Sequence, residues 1–249
     1  MGRVIALLVV AGCRFSAGGA VASDAAASDT ARLDARLDAA LAVPALIQVM
    51  EPTYSSTSLA VSAGIRAGDL LVVATYTSDL SDALAVTDSD LATWTSVPAV
   101  AMIGCAPRLQ FWYTTAVTTD ADVVTVTQAN ATAIGMAVLE YTGLDTESPV
   151  DVAGGVVAPA AGGIADPGPL VTTQPDVIVG VYADLDGVGT ITAGTGLTER
   201  GVDTQFYALV GDDVPGVVAG SYDLAAALPA GTDDACWTAA VVALRIATR

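Results

Sequence analysis

The ionisable side chains of this chain limit the chemistry open to it. The sequence has no histidine and nine basic residues, all of them arginine. The absence of histidine excludes the Ser–His and Cys–His nucleophile systems and nearly every zinc site. The absence of lysine excludes Schiff-base chemistry. Carboxylates, tyrosines and arginines remain as candidates for function.

Clustered aspartates are the first candidates, since calcium takes six to eight oxygen ligands from carboxylates and carbonyls. The best placed are Asp88 and Asp90, in a loop rich in serine and aspartate. Their spacing does not match the Asp-x-Asp-x-Asp-Gly calcium loop. Because aspartate is also a natural turn residue, solvated acidic turns are the alternative to a calcium site.

Glycoside hydrolysis needs two carboxyl groups that face each other across a cleft. The glutamates are few, and nothing in the spacing of Glu51, Glu140, Glu147 and Glu199 brings two of them together. We therefore expect that the chain is not an enzyme, and a carboxylate-dependent glycoside hydrolase is the less favoured alternative.

Aromatic side chains offer a better candidate, because saccharides bind to exposed aromatic faces. Trp94, Trp112 and Tyr113 are the candidate ligand-binding residues. In the strand expected at 109–114, alternation sends Phe111 and Tyr113 to one face and Trp112 to the other. Aromatic residues make up only 5% of the chain, so most of them are expected in the core.

Two charged residues lie late in otherwise apolar strands. Glu140 and Arg245 occupy matching places near the ends of two similar segments. A charge in such a place costs free energy unless it is exposed or paired. We expect them to form a structural pair across the fold, with exposure at the sheet ends as the alternative.

Overall composition excludes several partners. The chain has 249 residues and a formal net charge of −18. Nothing here could neutralise the phosphates of a nucleic acid or dock electrostatically on anionic lipid. Because 53% of the residues are hydrophobic, most of the chain is expected to fold.

The N-terminal stretch indicates the cellular location of the protein. Arg3 precedes an apolar run that ends in Val10-Ala11-Gly12-Cys13, too short to span a bilayer. This ending resembles the bacterial lipoprotein signal, which implies cleavage of residues 1–12 and a lipid on Cys13. It further implies a cell-envelope location; Arg14 favours the outer membrane or cell surface. An ordinary cysteine after an apolar start is the alternative.

Residues 13–44 are rich in alanine, serine and aspartate, and we interpret them as a flexible tether. Within the tether, Leu33, Leu37 and Leu41 recur at helical spacing. We therefore expect one short helical piece in the tether, and a piece that rests on the domain is the alternative.

From residue 45 to 249 the pattern has a period of two, with turn residues between short runs. This predicts an all-β, jelly-roll-like β-sandwich of two facing sheets. The order of similar segments further predicts an internal duplication, with pseudo-repeats at about 58–152 and 168–249 joined by an aperiodic bridge at 153–169. Gly-Asp-Leu-Leu-Val-Val at 68–73 and Val-Leu-Glu-Tyr at 138–141 resemble motifs of β-sandwich modules in exported bacterial surface proteins.

Two cysteines remain if Cys13 carries a lipid. Cys105 and Cys236 would then form an even pair in an oxidising compartment, and we expect them to form a disulfide. Two buried free thiols are the alternative.

These expectations combine into one functional hypothesis. The chain is a lipid-anchored envelope protein whose β-sandwich binds without catalysis, with the membrane as one partner and a glycan or surface protein as the other. A purely structural envelope protein is the alternative.

Overall fold

The computed structural model describes most of the chain after residue 40. It covers residues 41–55, 58–78, 84–90, 92–98, 100, 107–117, 121–129, 134–157, 163–184, 189–203, 208–213, 216–229 and 236–249, with only the backbone of 51–63. These residues form antiparallel strands and no helix. None of them, therefore, belongs to a helix that could span a membrane. The all-β class expected from the sequence is confirmed.

The first half of the described domain, named the first repeat after the predicted duplication, contains eight strands in two sheets. Five form the first inner sheet in the order β1-β8-β3-β6-β5, and three form the first outer sheet in the order β2-β7-β4. The strands are β1 (Ala45–Ser55), β2 (Ser58–Gly64), β3 (Leu70–Thr77), β4 (Leu84–Thr87), β5 (Thr95–Ser96), β6 (Arg108–Thr115), β7 (Ala121–Gln128) and β8 (Ile134–Thr142).

The second repeat contains ten strands. The second inner sheet has the order β9-β18-β12-β15-β14, the second outer sheet has the order β10-β17-β13, and β11 pairs with β16 alone. The strands are β9 (Val150–Val157), β10 (Ile164–Ala165), β11 (Leu170–Val171), β12 (Asp176–Asp184), β13 (Thr192–Ala193), β14 (Thr198–Asp203), β15 (Ala208–Asp212), β16 (Ser221–Tyr222), β17 (Ala226–Ala227) and β18 (Trp237–Arg245).

The two repeats have the same strand order. If β11 and β16 are left aside, each repeat has eight principal strands; counted in chain order, both inner sheets have the order first, eighth, third, sixth and fifth, and both outer sheets have the order second, seventh and fourth. The internal duplication stays a prediction, and this agreement favours it. In the two halves, β1 begins at Ala45 and β9 at Val150.

The sheets stack in four layers rather than the two expected from the sequence. In the main core, alternate residues of β3, such as Val72, pack in one cluster with residues of β12, such as Val179. The other faces of these strands are covered too: Val73 packs with the first outer sheet, and Tyr182 with the second. Because both faces are covered, all residues of β3 and β12 are buried. This explains why their sequences are apolar without alternation.

The glycine-rich stretch expected as a bridge at 153–169 instead begins within β9, at the edge of the second inner sheet. A Cβ on Gly155 would lie 2.4 Å from Val100 Cγ2 and 2.5 Å from the Ala239 carbonyl oxygen. Glycine therefore allows two segments to approach closely at this strand.

The end of the tether belongs to the folded unit. Leu41 forms an antiparallel bridge with Thr248, and the Ala42 N–H donates to the Ala247 carbonyl over 2.8 Å. Residues 41 and 42, which we expected in the tether, thus pair with the C-terminal segment of the domain. The rest of the expected tether and the signal segment lie outside the described residues.

Candidate functional site

A groove opens at the β5–β6 edge of the first inner sheet. Its volume is about 400 Å³, within the range of small-ligand sites. Threonines dominate its lining, together with one aromatic ring and one carboxylate: Ala92, Thr93, Thr95, Tyr113, Thr114, Thr115, Val117, Thr146 and Glu147.

Strand pairing places the central groove residues side by side. Thr95 of β5 lies directly opposite Tyr113 of β6. Residues two apart on a strand share a face, which adds Thr115 to the same side, and Thr93, just before β5, also lines the groove. Tyr113 is only partly buried where it packs against the main core, and Val117 is 59% exposed at the rim.

The other wall of the groove is the connection between the repeats, at 143–149. The Asp145 carboxylate accepts hydrogen bonds from the N–H groups of Glu147 and Ser148, over 2.9 and 3.1 Å. The Thr115 hydroxyl donates to the Thr146 carbonyl over 3.2 Å, and Arg245 Nη1 donates to the Ser148 carbonyl over 3.0 Å. These bonds fix the wall in place before any ligand arrives.

Charge in the groove is negative. Glu147 is exposed and supplies the one carboxylate among the lining residues of the described chain. Arg245, which donates to this wall, is paired with Asp151 at 3.4 Å. Within the described residues the Glu147 side chain makes no hydrogen bond or ion pair, so it can meet a ligand.

Only one of the three aromatic residues expected to bind ligand lies in the groove. Tyr113 does, whereas Trp94 and Trp112 pack on the opposite face, against the core between the inner and outer sheets of the first repeat. The alternation expected for β6 is therefore confirmed. The two tryptophans instead pack against the core, and the Trp94 Nε1–H donates a hydrogen bond to Asp88 over 2.9 Å.

The candidate calcium residues Asp88 and Asp90 stay a prediction. Both oxygens of Asp88 are occupied: Oδ1 accepts from the Ala92 N–H over 2.8 Å and Oδ2 accepts from Trp94. Asp90 follows on a turn and is half-exposed. No group of three or more acidic or cysteine side chains in the described part of the chain could hold a metal ion.

The expected pair of Glu140 and Arg245 is corrected by the structure. Glu140 is fully buried and accepts hydrogen bonds from Gln48 Nε2 and, over 2.7 Å, from the Arg66 N–H. Arg245 pairs with Asp151 of β9. Each charge therefore has a neighbour within its own repeat. The strand pairing also shows that Glu140, opposite Leu71, corresponds to Ala243, opposite Ile178.

Of the two cysteines expected to form a disulfide, Cys236 is buried at the start of β18, and Cys105 lies outside the described residues. Their neighbours are in contact: the Thr238 hydroxyl donates to the Pro107 carbonyl over 2.6 Å. Cys105 precedes Pro107 by two residues and Cys236 precedes Thr238 by two residues. Two residues of chain span at most about 7 Å. The disulfide thus stays a prediction, and this contact favours it.

Buried tyrosine–aspartate bonds between the repeats escaped the sequence analysis. The Tyr76 hydroxyl donates to Asp203 and the Tyr141 hydroxyl donates to Asp212, each over 2.7 Å. Arg200 also pairs with Asp212 at 2.8 Å. Burial, followed by the neighbouring carboxylates, raises the pKa of both tyrosines above the ordinary value, so they stay neutral donors.

A second set of carboxylates lies at the end of the second inner sheet. Asp176 is fully buried beside Asp151, and burial, reinforced by the Asp151 charge, raises the pKa of Asp176 to about 7. Burial likewise raises the pKa of Asp213 to about 7. The pKa of Asp151 is lowered, because hydrogen bonds from Thr173 and Arg245 outweigh its desolvation. These shifts couple folding to pH near neutrality.

Comparison of the chain with models of protein families, with curated proteins and with solved structures yields no match. Functional inference therefore depends on the geometry of the groove and on the sequence itself.

Proposed function

We propose that this protein is a lipid-anchored binding module of the bacterial cell envelope that holds a saccharide in the groove between β5–β6 and residues 143–149. The observation that carries the proposal is a preformed groove combining an aromatic ring with threonine hydroxyls. The described part of the chain offers this combination at Tyr113, Thr93 and Thr95.

The chemistry of the groove suits a sugar ring. A pyranose has an apolar C–H face and a rim of hydroxyl groups. Tyr113 and Val117 provide apolar surface for the first, while Thr93, Thr95 and Glu147 provide hydrogen-bonding groups for the second. The fixed wall lowers the ordering cost of binding.

Binding without catalysis fits the lining better than hydrolysis does. Glycoside hydrolysis uses two carboxyl groups that flank the bond to be cleaved. Glu147 has no second carboxylate beside it among the described groove residues. We therefore propose a non-catalytic role in contact or adhesion.

The groove proposal is tested by replacing Tyr113 with leucine, which keeps apolar volume in the core but removes the ring. We expect Tyr113→Leu to weaken binding of neutral and amino oligosaccharides about 5- to 10-fold, because aromatic contacts contribute on the order of 1 kcal/mol. Isothermal titration measures the change.

Tyr222→Leu is the matched control, since Tyr222 is a half-buried tyrosine in the second repeat, outside the groove. The control variant should bind like the wild type. Equal binding by Tyr113→Leu and wild type would remove the groove as the site, and a wild type that binds no saccharide would favour a purely structural envelope protein.

The proposed envelope location is tested at Cys13. Wild-type protein produced in bacteria should incorporate labelled palmitate and enter the detergent phase in a Triton X-114 separation, since several acyl chains anchor stably. Cys13→Ser should lose the label and remain in the aqueous phase, whereas Cys105→Ser should keep it. A wild-type protein without label would contradict the anchor.

We also propose that each repeat is a jelly roll. The inner-sheet order β1-β8-β3-β6 with the outer-sheet order β2-β7-β4 is the arrangement that paired Greek keys generate. The second repeat follows the same order. In both repeats the fifth principal strand, β5 or β14, pairs with the inner sheet, and in the first repeat this creates one wall of the groove.

A further inference from the structure

We propose that the groove selects a saccharide with a free amino group, and that the Glu147 carboxylate is the counter-charge for the sugar ammonium. The inference rests on the proposed saccharide-binding function and adds the chemical class of the ligand.

The first argument is the charge of the lining. Its described residues include one carboxylate and no arginine, and the chain has no lysine. Glu147 is exposed, and its side chain has no hydrogen-bond or ion-pair partner within the described residues. An ammonium group could donate to this carboxylate without displacing an existing partner.

The second argument is that the backbone carrying Glu147 is held in place. Asp145 accepts the Glu147 N–H at 2.9 Å, and Arg245 donates to the adjacent Ser148 carbonyl at 3.0 Å. The Glu147 backbone is thus fixed facing Tyr113, so the carboxylate and the ring can contact one sugar together. A backbone held in this way loses less entropy on binding than a mobile loop does.

The third argument is the charge of the whole protein. A net charge of −18 attracts cationic ligands and repels anionic ones over roughly a Debye length. The negative charge of the protein would repel uronic acids and sulfated sugars. The described lining also has no arginine that could bind their anionic groups. Neutral sugars would gain nothing from Glu147 beyond an ordinary hydrogen bond.

The test compares three probes against the full-length protein: a glucosamine tetramer, its N-acetylated counterpart and a galacturonate tetramer. Titrations are run at about pH 6, where the amine is protonated, at low salt. We expect the glucosamine tetramer to bind about 5-fold more tightly than the acetylated one, the upper end for an exposed ion pair. The galacturonate should bind most weakly.

Two variants separate the local carboxylate from the global charge. Glu147→Gln should abolish the preference for the amine while retaining binding of the acetylated probe. Glu199→Gln removes the same charge from an exposed position on β14 and should leave the preference intact. Added salt should reduce the preference of the wild type.

The outcomes distinguish the two proposals. Equal binding of amino and acetylated probes by the wild type, or a preference that survives in Glu147→Gln, would overturn the inference alone. Failure of every saccharide to bind would overturn the proposed function, and the inference with it.

Discussion

Raising the pH from about 4 to about 8 lowers the free energy of unfolding of this protein, and Asp176→Asn removes a large part of that loss. In the folded chain Asp176 has a pKa of about 7, because it is fully buried beside the Asp151 carboxylate. An unfolded aspartate has a pKa of about 3.9. The difference corresponds to at most about 4 kcal/mol from this one residue.

The direction follows from proton binding. The folded state binds the Asp176 proton more tightly than the unfolded state does, so the resulting stability is fully present below about pH 4. It is lost as the pH rises through about 7. Asp213, with a pKa also raised to about 7, contributes in the same direction. Arg245 and Asp151 face the same cluster; the arginine charge opposes the shift in Asp176, and the Asp151 charge increases it.

Urea unfolding at a series of pH values checks this prediction. Asn cannot ionise, so Asp176→Asn should be more stable than wild type at pH 8 and should show a shallower decline with pH. Glu199→Gln is the control for net charge and should keep the wild-type slope, because Glu199 is exposed. A wild-type stability that is flat between about pH 4 and 8 would contradict the buried-carboxylate account.

Loss of the predicted Cys105–Cys236 disulfide should lower the free energy of unfolding by about 2–5 kcal/mol. The bond would close a loop of about 130 residues, for which the chain-entropy model gives nearly 5 kcal/mol. It would also join the segment before β6 to β18, linking the two inner sheets where Thr238 already bonds to Pro107.

The double replacement Cys105→Ala with Cys236→Ala is the direct test, since alanine leaves no polar atom at the buried Cys236 position. Reductant should destabilise the wild type by a similar amount and leave the double variant unchanged. Alkylation followed by mass spectrometry gives the independent readout. If both thiols of the unfolded, unreduced protein are alkylated, the disulfide is absent and the prediction is wrong.

Local patterns in the sequence predicted many of the strands but not the number of layers. Alternation in 121–128 correctly predicts a half-exposed strand, because β7 lies in an outer sheet. The unbroken apolar run at Leu70–Ala74 predicts burial on both faces, but it does not say which sheets cover them. The packing of the two inner sheets depends on contacts between residues that are far apart in the sequence, so local patterns do not predict it.

The sequence pattern did not predict β9 because this strand contains two glycines. The run Gly154-Gly155 is typical of a loop when only propensity is considered. In the folded chain, the neighbours of Gly155 leave no room for a Cβ, so the same residue type is required inside a strand.

The groove was only partly predictable. Alternation correctly separates Tyr113 from Trp112, yet nothing local shows that the tryptophan faces an outer sheet and the tyrosine an open edge. Threonines in β-strands are common, so Thr93 and Thr95 carried no signal of their own. Glu147 lies beside Thr95 and Tyr113 because the fold places the 143–149 connection next to β5 and β6. No local pattern in the sequence predicts this neighbourhood.

The most direct test of the central claim is a chemical-shift footprint of a saccharide on the ¹⁵N-labelled protein. We predict that titration with the glucosamine tetramer shifts amide signals of Thr93, Thr95, Tyr113 and Glu147 together. Signals of the second outer sheet, such as those of Ile164 and Ala227, should stay in place. Shifts confined to residues outside the groove, or no shifts at all, would contradict the account.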